Sequence, residues 1–177
     1  MSVEIRQGRV TAVCTSPDHG YPTYPQESVY VGPLGIEGDA HSGPDRESAK
    51  NPGTRKPNDR PISIVSEELY KEINQTFGLS AEHGDFNEQV VVEGMGDLSD
   101  VEIGSRVMMG DVVLEVTDNA WPCERLNGHM GEPLLAKRLV YQDEKGTRRT
   151  KRGIVAKVIE EGELTPGIEA AIINNVI

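Results

Sequence analysis

The sequence predicts a mostly β protein, a small barrel or coiled sheet with a few peripheral helices. Three observations carry that expectation. Short runs rich in Val and Ile are spread along the 177 residues and separated by Gly and Asp, which favours strands over long helices. Only the stretch 66–78 shows a clear helical period. RVMMGDVVLEVT, at 106–117, reads as two strands folded about Gly110 and Asp111, a hairpin signal. Many short strands, hairpin turns and one good helix point to a barrel.

In chain order, 9–15 (RVTAVCT) is the first expected strand, with Cys14 near its end. A turn-rich excursion follows at 16–26, then a short strand at 28–31. Residues 32–60 read as irregular, rich in Gly, Pro, Asp, Asn and Ser; loops this long in a compact domain are usually functional or disordered. PISIV, at 61–65, is a strand running directly into the helix. Ser66 is its expected N-cap, with Glu67 and Glu68 in the first turn, where carboxylates meet free backbone N–H groups. Leu69, Ile73 and Phe77 recur at four-residue steps beside Tyr70, and Gly78 suits the C-terminal turn. Strands are expected at 89–92, 101–103, 106–108 and 112–117, a short helix at 134–140, and strands at 153–160 and 170–173. No linker or repeat divides the chain, so residues 1–177 are expected to form one domain.

Composition narrows the function. Hydrophobic residues are 36% of the chain and aromatics 5%, so the core must rest on Val, Ile and Leu. The formal net charge of -11 argues against non-specific binding to nucleic acid or to an anionic membrane. Two cysteines without CxxC spacing cannot form a disulfide framework. MSVEIRQGRV reads as neither a signal peptide nor a membrane span, so a cytoplasmic location is expected. Two basic groups stand out against the acidic average. One is KGTRRTKR at 145–152, with Lys145, Arg148, Arg149, Lys151 and Arg152; the other is Arg46, Lys50, Arg55, Lys56 and Arg60. Each reads either as a solvated loop or as an anion site.

Four features carry chemistry. Cys123 lies in NAWPCERLNG, and the neighbouring Arg125 guanidinium would favour its thiolate, the form that ligates soft metals or attacks an electrophile. The alternative is a small core hydrophobe, the reading preferred for Cys14 inside its β pattern. GIEGDAHSG, at 35–43, frames Glu37, Asp39 and His41 with glycines whose backbone can approach a ligand or simply make a turn. Its spacing matches no nucleotide-binding fingerprint. A zinc site from Asp39, His41 and Cys123 is conceivable in space, yet the four scattered histidines give it no signature. In GDFNEQVVVE, at 84–93, Asn87 and Glu88 precede an apolar strand, as residues at a pocket rim or in a turn would. The fourth feature is the 145–152 stretch, whose arginines would suit a phosphate.

Taken together and in this order, these pieces resemble the small stand-alone MOSC proteins, relatives of the C-terminal domain of molybdenum cofactor sulfurases. GIEGDAHSG, RPISIVSEE at 60–68, GDFNEQVVVEG at 84–94, IGSRVMMGDVVLEVT at 103–117, Pro122-Cys123 and RGIVAKVIEEGELTPG at 152–167 carry the likeness, over a core of about 8–173. The resemblance implies a MOSC-type β-barrel with a few peripheral helices. It implies a molybdopterin cofactor at one end of the barrel, with Cys123 as molybdenum ligand. Gly38, Asp39, His41, Asn87, Glu88, Arg148, Arg149 and Arg152 would surround that cofactor. Were the chain an enzyme, Cys123, His41 and Asp39 would be its catalytic residues, in a molybdenum-dependent reduction of N-hydroxylated compounds. A cofactor carrier or persulfide-transfer module, and an interaction domain with a vestigial pocket, are the alternatives. The implied partner is an electron-donor reductase or a molybdenum cofactor biosynthesis protein, because no flavin, haem or iron–sulfur motif is evident; a pyridoxal phosphate site is not implied. The chain departs from the family where a Phe-Gly-Glu-Asn turn becomes Phe86-Asn87-Glu88-Gln89, where a Gly-Asp becomes Gly167-Ile168, and in an insertion around 47–58.

Overall fold

The computed structural model describes residues 2–176. The strands begin with β1 (Ser2–Thr15), β2 (Tyr24–Gln26), β3 (Val29–Gly32), β4 (Gly35–Ile36), β5 (Asp45–Glu47), β6 (Arg55–Pro57) and β7 (Ile62–Ser66). Helix α1 (Glu67–Phe77) leads to β8 (Val90–Glu93), β9 (Arg106–Met109) and β10 (Val112–Asn119). Helices α2 (Glu124–Met130) and α3 (Leu135–Arg138) precede β11 (Val140–Gln142), β12 (Arg148–Thr150), β13 (Ile154–Glu160), β14 (Gly162–Leu164) and β15 (Glu169–Val176).

Seven strands close on themselves in the order β15-β9-β10-β13-β7-β8-β1, because β1 also pairs with β15. The fold is therefore a mostly β closed barrel with a few peripheral helices. Closure leaves the main sheet no free edge along those strands. β1 joins both sides: Ser2 to Arg9 pair with Val176 to Glu169, and Val10 to Val13 run along β8. Its first half is longer than the expected 9–15 because backbone pairing with β15 extends it, although Val3 and Ile5 remain exposed.

Two apolar clusters explain the shape. The barrel interior holds Val10, Val13, Ile62, Ile64, Val90, Val92, Val107, Leu114, Ile154 and Ile172. Outside it, Ala12, Cys14, Val65 and Val91 pack under Leu69, Tyr70 and Ile73 of α1 and Leu126 of α2. With both faces covered, β8 can be a continuous Val90-Val91-Val92 run. Cys14 is buried for the same reason, and burial together with the Glu88 charge pushes its thiol up to about 12. Each buried side chain of α1 contributes roughly 1.5–3 kcal/mol. Ser66 caps that helix by accepting from Leu69 N at 3.2 Å, and Gly78 ends it at φ 64°.

Three sequence expectations differ from the structure. Residues 101–103 form no strand: Val101 is buried, but Ile103 turns outward and pairs with no strand. Helix α2 was not expected, since Leu126 is its only buried residue and no apolar stripe marks it. The irregular 32–60 segment contains the short hairpin of β5 and β6. No helix among the described residues is long and apolar enough to cross a membrane.

Candidate functional site

Ser63 lies between Ile62 and Ile64, which face the barrel interior, so the two-residue alternation of a strand turns Ser63 outward. Its cross-strand partner Val155 is turned outward in the same way, between Ile154 and Ala156. The segment 40–60 folds over this flank and is tied down at several points. Thr117 Oγ1 donates to Asp59 O at 2.6 Å, Arg60 bonds Asp118 at 3.2 Å, and Asn58 Nδ2 donates to His41 O at 2.8 Å and Gly43 O at 3.1 Å. Between flank and segment lies a cavity of about 690 Å³. It sits against the outer wall, beside the end of β10 and the starts of β7 and β13.

One wall is formed by His41, with Asp39 behind it and outside the cavity lining. The Asp39 side chain is 0% exposed. Its Oδ2 accepts from Ser16 N at 3.0 Å, and its Oδ1 accepts from His41 N at 2.8 Å and faces His41 Nδ1 at 2.9 Å. Burial alone would raise its pKa, but hydrogen bonds from His41 and Ser16 outweigh that and hold it below the ordinary carboxylate range. Asp39 thus fixes the 35–43 turn to the end of β1 and orients the His41 ring. His19 packs edge-on against that ring, 5.2 Å between centroids, and Asn87 Nδ2 lies 3.3 Å from its Nε2. His41, Asn87 and His19 line the cavity, whereas Gly38 is exposed on the far side of its turn and does not.

Arginines dominate the remaining lining: Arg46, Arg55, Arg60, Arg125 and Arg152 all reach the cavity. Three are balanced by nearby acids, Arg46 by Asp59 at 2.9 Å, Arg55 by Asp45, and Arg60 by Asp118 at 3.2 Å. Arg152 differs. It is 8% exposed, makes no ion pair among the described residues, and donates through one terminal nitrogen to Phe86 O, leaving its buried Nε without a partner. Ser63 Oγ and Asn87 Oδ1 are likewise buried and unpaired. Arg46 Nη2 and Arg60 Nε are unsatisfied as well, and a buried cation beside several unsatisfied polar groups of one cavity lining calls for a polar ligand or water.

The expected arginines separate in space. Arg148 stacks over the Trp121 ring, 4.9 Å from its centroid, and Arg149 pairs with Asp143 at 3.2 Å and Glu102 at 3.4 Å. Neither lines the cavity. Arg148 and Arg149 lie in β12, where successive side chains alternate to opposite faces, whereas Arg152 lies in the turn beyond that strand.

Glu88 also stands apart from the cavity lining, fully buried behind the 84–88 turn. Its carboxylate accepts from Gly84 N at 2.8 Å, Phe86 N at 3.1 Å and the Tyr70 hydroxyl. Burial raises its pKa above the usual range despite those donors. Its role is to hold the turn that presents Asn87. Gln89, which the sequence reading did not single out, accepts from Ser63 N at 2.8 Å through Oε1 and so directs its amide nitrogen toward His41.

Cys123 is exposed and precedes α2. It is not among the cavity lining, but its neighbours Trp121 and Arg125 are. The Tyr21 hydroxyl lies 3.6 Å from its sulfur. Burial works against its ionisation, but hydrogen bonds from Tyr21, the Arg125 side chain and backbone, and Leu126 N–H more than compensate, so the thiol ionises below its ordinary range. Arg125 therefore links the nucleophilic sulfur to the arginine-lined cavity. No group of three or more His, Cys, Asp or Glu side chains is arranged to hold a metal ion among the described residues, so Asp39, His41 and Cys123 do not assemble a zinc site.

A family model described as the MOSC domain matches residues 37–170. Among solved structures, the YUAD protein from Bacillus subtilis superimposes with a TM-score of 0.81 at 22% identity, covering 99% of this chain and 100% of that one. YiiM from Escherichia coli gives 0.63 at 20% identity, over 96% of this chain and 71% of the other. YiiM from Geobacillus stearothermophilus gives 0.61 at 19%, over 97% and 75%. No curated protein sequence matches the chain.

Proposed function

The chain belongs to the MOSC domain family, and from that premise we propose that its cavity binds an anionic, phosphate-bearing cofactor of the molybdopterin type. The observation that carries this reading is Arg152, a buried cation of the cavity lining that makes no ion pair among the described residues and whose Nε has no hydrogen-bond partner among them. A bound oxyanion would satisfy it through a charge-assisted hydrogen bond. Other orphaned atoms of the lining, Ser63 Oγ and Asn87 Oδ1 among them, would meet polar edges of the same ligand. The residues present fit such a group on its anionic side, and Cys123 supplies an exposed thiol already biased toward thiolate.

In this reading Arg152, helped by Arg46, Arg60 and Arg125, anchors the phosphate, and Cys123 ligates molybdenum. The bound metal would supply two-electron redox chemistry, reduction of an N–O bond in an N-hydroxylated substrate, with electrons from a separate reductase. This chain's part is binding and proton handling. Asp39 orients His41 at the cavity wall, Tyr21 and Arg125 keep Cys123 ionised, and the 40–60 segment shields the site from water. A cytoplasmic location and a partner from molybdenum cofactor biosynthesis are part of the same proposal.

The exposure of Cys123 outside the lining favours one second reading, a carrier that holds a persulfide or the cofactor transiently. The test is molybdenum and pterin content after anaerobic purification from a cofactor-competent host, comparing wild type with C123A. Near-stoichiometric cofactor, lost in C123A, supports ligation and opens assays on N-hydroxylated substrates. No cofactor in either protein, even after adding isolated molybdopterin, defeats the cofactor reading; labelled sulfur taken up at Cys123 would then select sulfur transfer.

A further inference from the structure

Asn87 is the one side-chain-bearing residue with positive φ among the described residues, at 60°, a conformation that few residues other than Gly, Asn and Asp adopt readily. What its carboxamide does there gives that position chemical content. We propose that Asn87 is a positioning residue, holding His41 with its proton on Nδ1 and its Nε2 lone pair free to accept a hydrogen from a ligand. The proposal rests on the reading of this cavity as a ligand site and deepens it by naming which ligand atom belongs on the His41 side.

Two groups face His41 Nδ1, the Asp39 carboxylate at 2.9 Å and the Gln89 amide nitrogen at 3.2 Å. The shorter contact is to an ionised oxygen, which a lone pair on Nδ1 would repel and a hydrogen would bond with charge assistance, so Asp39 decides and Nδ1 carries the hydrogen. Nε2 is then an acceptor, and the group facing it at 3.3 Å is the Asn87 amide nitrogen, a donor. The other end of that carboxamide, Oδ1, is buried without a partner. Among the described residues His41 alone therefore holds the amide in its present orientation.

The backbone that carries the amide is fixed independently. Asn87 N donates to Gly84 O at 2.9 Å, the Glu88 carboxylate holds the N–H groups of Gly84 and Phe86, and Arg152 holds Phe86 O. The turn is thus rigid while the amide at its tip is held by one exchangeable bond.

The consequence is a division of the cavity by ligand chemistry. Oxyanion oxygens, which carry no hydrogen, are directed to Arg152. On the His41 side of the 84–88 turn, a ligand reaches His41 only by offering an O–H or N–H in place of the Asn87 amide. When it does, the freed amide has an unpaired Oδ1 and two N–H groups with which to bind the same ligand. A hydroxylamine O–H or an amine N–H meets that requirement; a second phosphate does not.

The test is nitrogen NMR of histidine-labelled protein, with no cofactor present, comparing wild type with N87G and N87D. Glycine keeps the positive φ without the amide; aspartate keeps the size but can only accept. The expected wild-type spectrum has His41 Nδ1 protonated and Nε2 as a hydrogen-bonded acceptor. N87G should move Nε2 downfield, toward a free lone pair, and N87D should place a proton on Nε2 and move it far upfield. A wild-type Nε2 that already carries a proton, or an Nε2 position unchanged in N87G, overturns the proposal. Because no cofactor enters the measurement, its outcome is independent of whether molybdopterin binds.

Discussion

The Tyr21 hydroxyl and the Cys123 sulfur lie 3.6 Å apart, and the Tyr21 ring is stacked 5.5 Å from that of His129. Burial is the main reason the Tyr21 phenol is pushed up to about 12, so it remains a donor wherever the protein is folded near neutrality. Its hydrogen stabilises the thiolate, and the shift at Cys123 is downward. Alkylation by iodoacetamide, followed against pH, should therefore show a midpoint below that of an ordinary thiol. Y21F should move that midpoint upward, with less thiolate at neutral pH. Cys14, buried and pushed up to about 12, should stay unmodified in both proteins until they unfold. Superimposable profiles for wild type and Y21F would show that the hydroxyl does not govern the sulfur.

Arg152 and Arg149 stand only three positions apart, yet they should behave oppositely. R152K keeps the charge but loses the planar fork that reaches both Phe86 O and the cavity. Affinity for isolated molybdopterin should fall by roughly tenfold, about 1.4 kcal/mol. R149A removes a cation already paired with Asp143 and Glu102 outside the cavity, so affinity should stay within about twofold, as for other partly exposed ion pairs. Calorimetric titration of both variants decides the matter. Equal losses would mean that long-range charge, not contact, governs binding.

That contrast also shows what the sequence can and cannot disclose. Helix α1 was legible because its signals are local: the Ser66 cap, the Leu69, Tyr70 and Ile73 face and Gly78 all lie within one stretch. The β9–β10 hairpin was legible through Gly110 for the same reason. Helix α2 was not, having one buried residue and a glycine in its middle. At the cavity, Asp39, His41 and Asn87 stood out as polar residues in glycine-rich turns. Arg46, Arg55 and Arg60 were visible as a basic group, but solvation and anion binding leave the same mark on composition. Only the fold over the β7–β13 flank turns them toward Arg152. Ser63 gave no signal at all, since an outward polar residue in an alternating strand is ordinarily solvated.

Asp39 should make the protein acid-labile in a specific way. Its folded pKa is depressed, so its contribution to stability is present above the unfolded value, roughly 4, and is lost as pH falls through the lower folded value. D39N keeps the size but removes the negative acceptor for Ser16 N and His41 N. At neutral pH it should cost about 2 kcal/mol. Urea denaturation repeated at successively lower pH should show the gap between D39N and wild type narrowing below the ordinary aspartate range. A gap that is constant with pH would assign the loss to packing rather than to charge.

Gly153 is where the site and the barrel constrain each other most tightly. It follows Arg152 with φ 125°, and a Cβ placed there would lie 2.1 Å from Ile64 O. That oxygen belongs to β7 at the rung where Ile64 pairs with Ile154, so it cannot retreat without opening the ladder. G153A should destabilise the fold by about 3 kcal/mol or more. Gly146 provides the comparison, with φ 77° but nothing within 4 Å of its added Cβ. G146A should therefore cost only the backbone strain, about 1 kcal/mol. Urea midpoints for the two variants separate the contributions. If G153A matches G146A, the chain at Gly153 can move away from β7, and Arg152 with it. The backbone would then no longer fix the guanidinium, whose one side-chain bond among the described residues is to Phe86 O, and its orphaned Nε would not mark a fixed anion site.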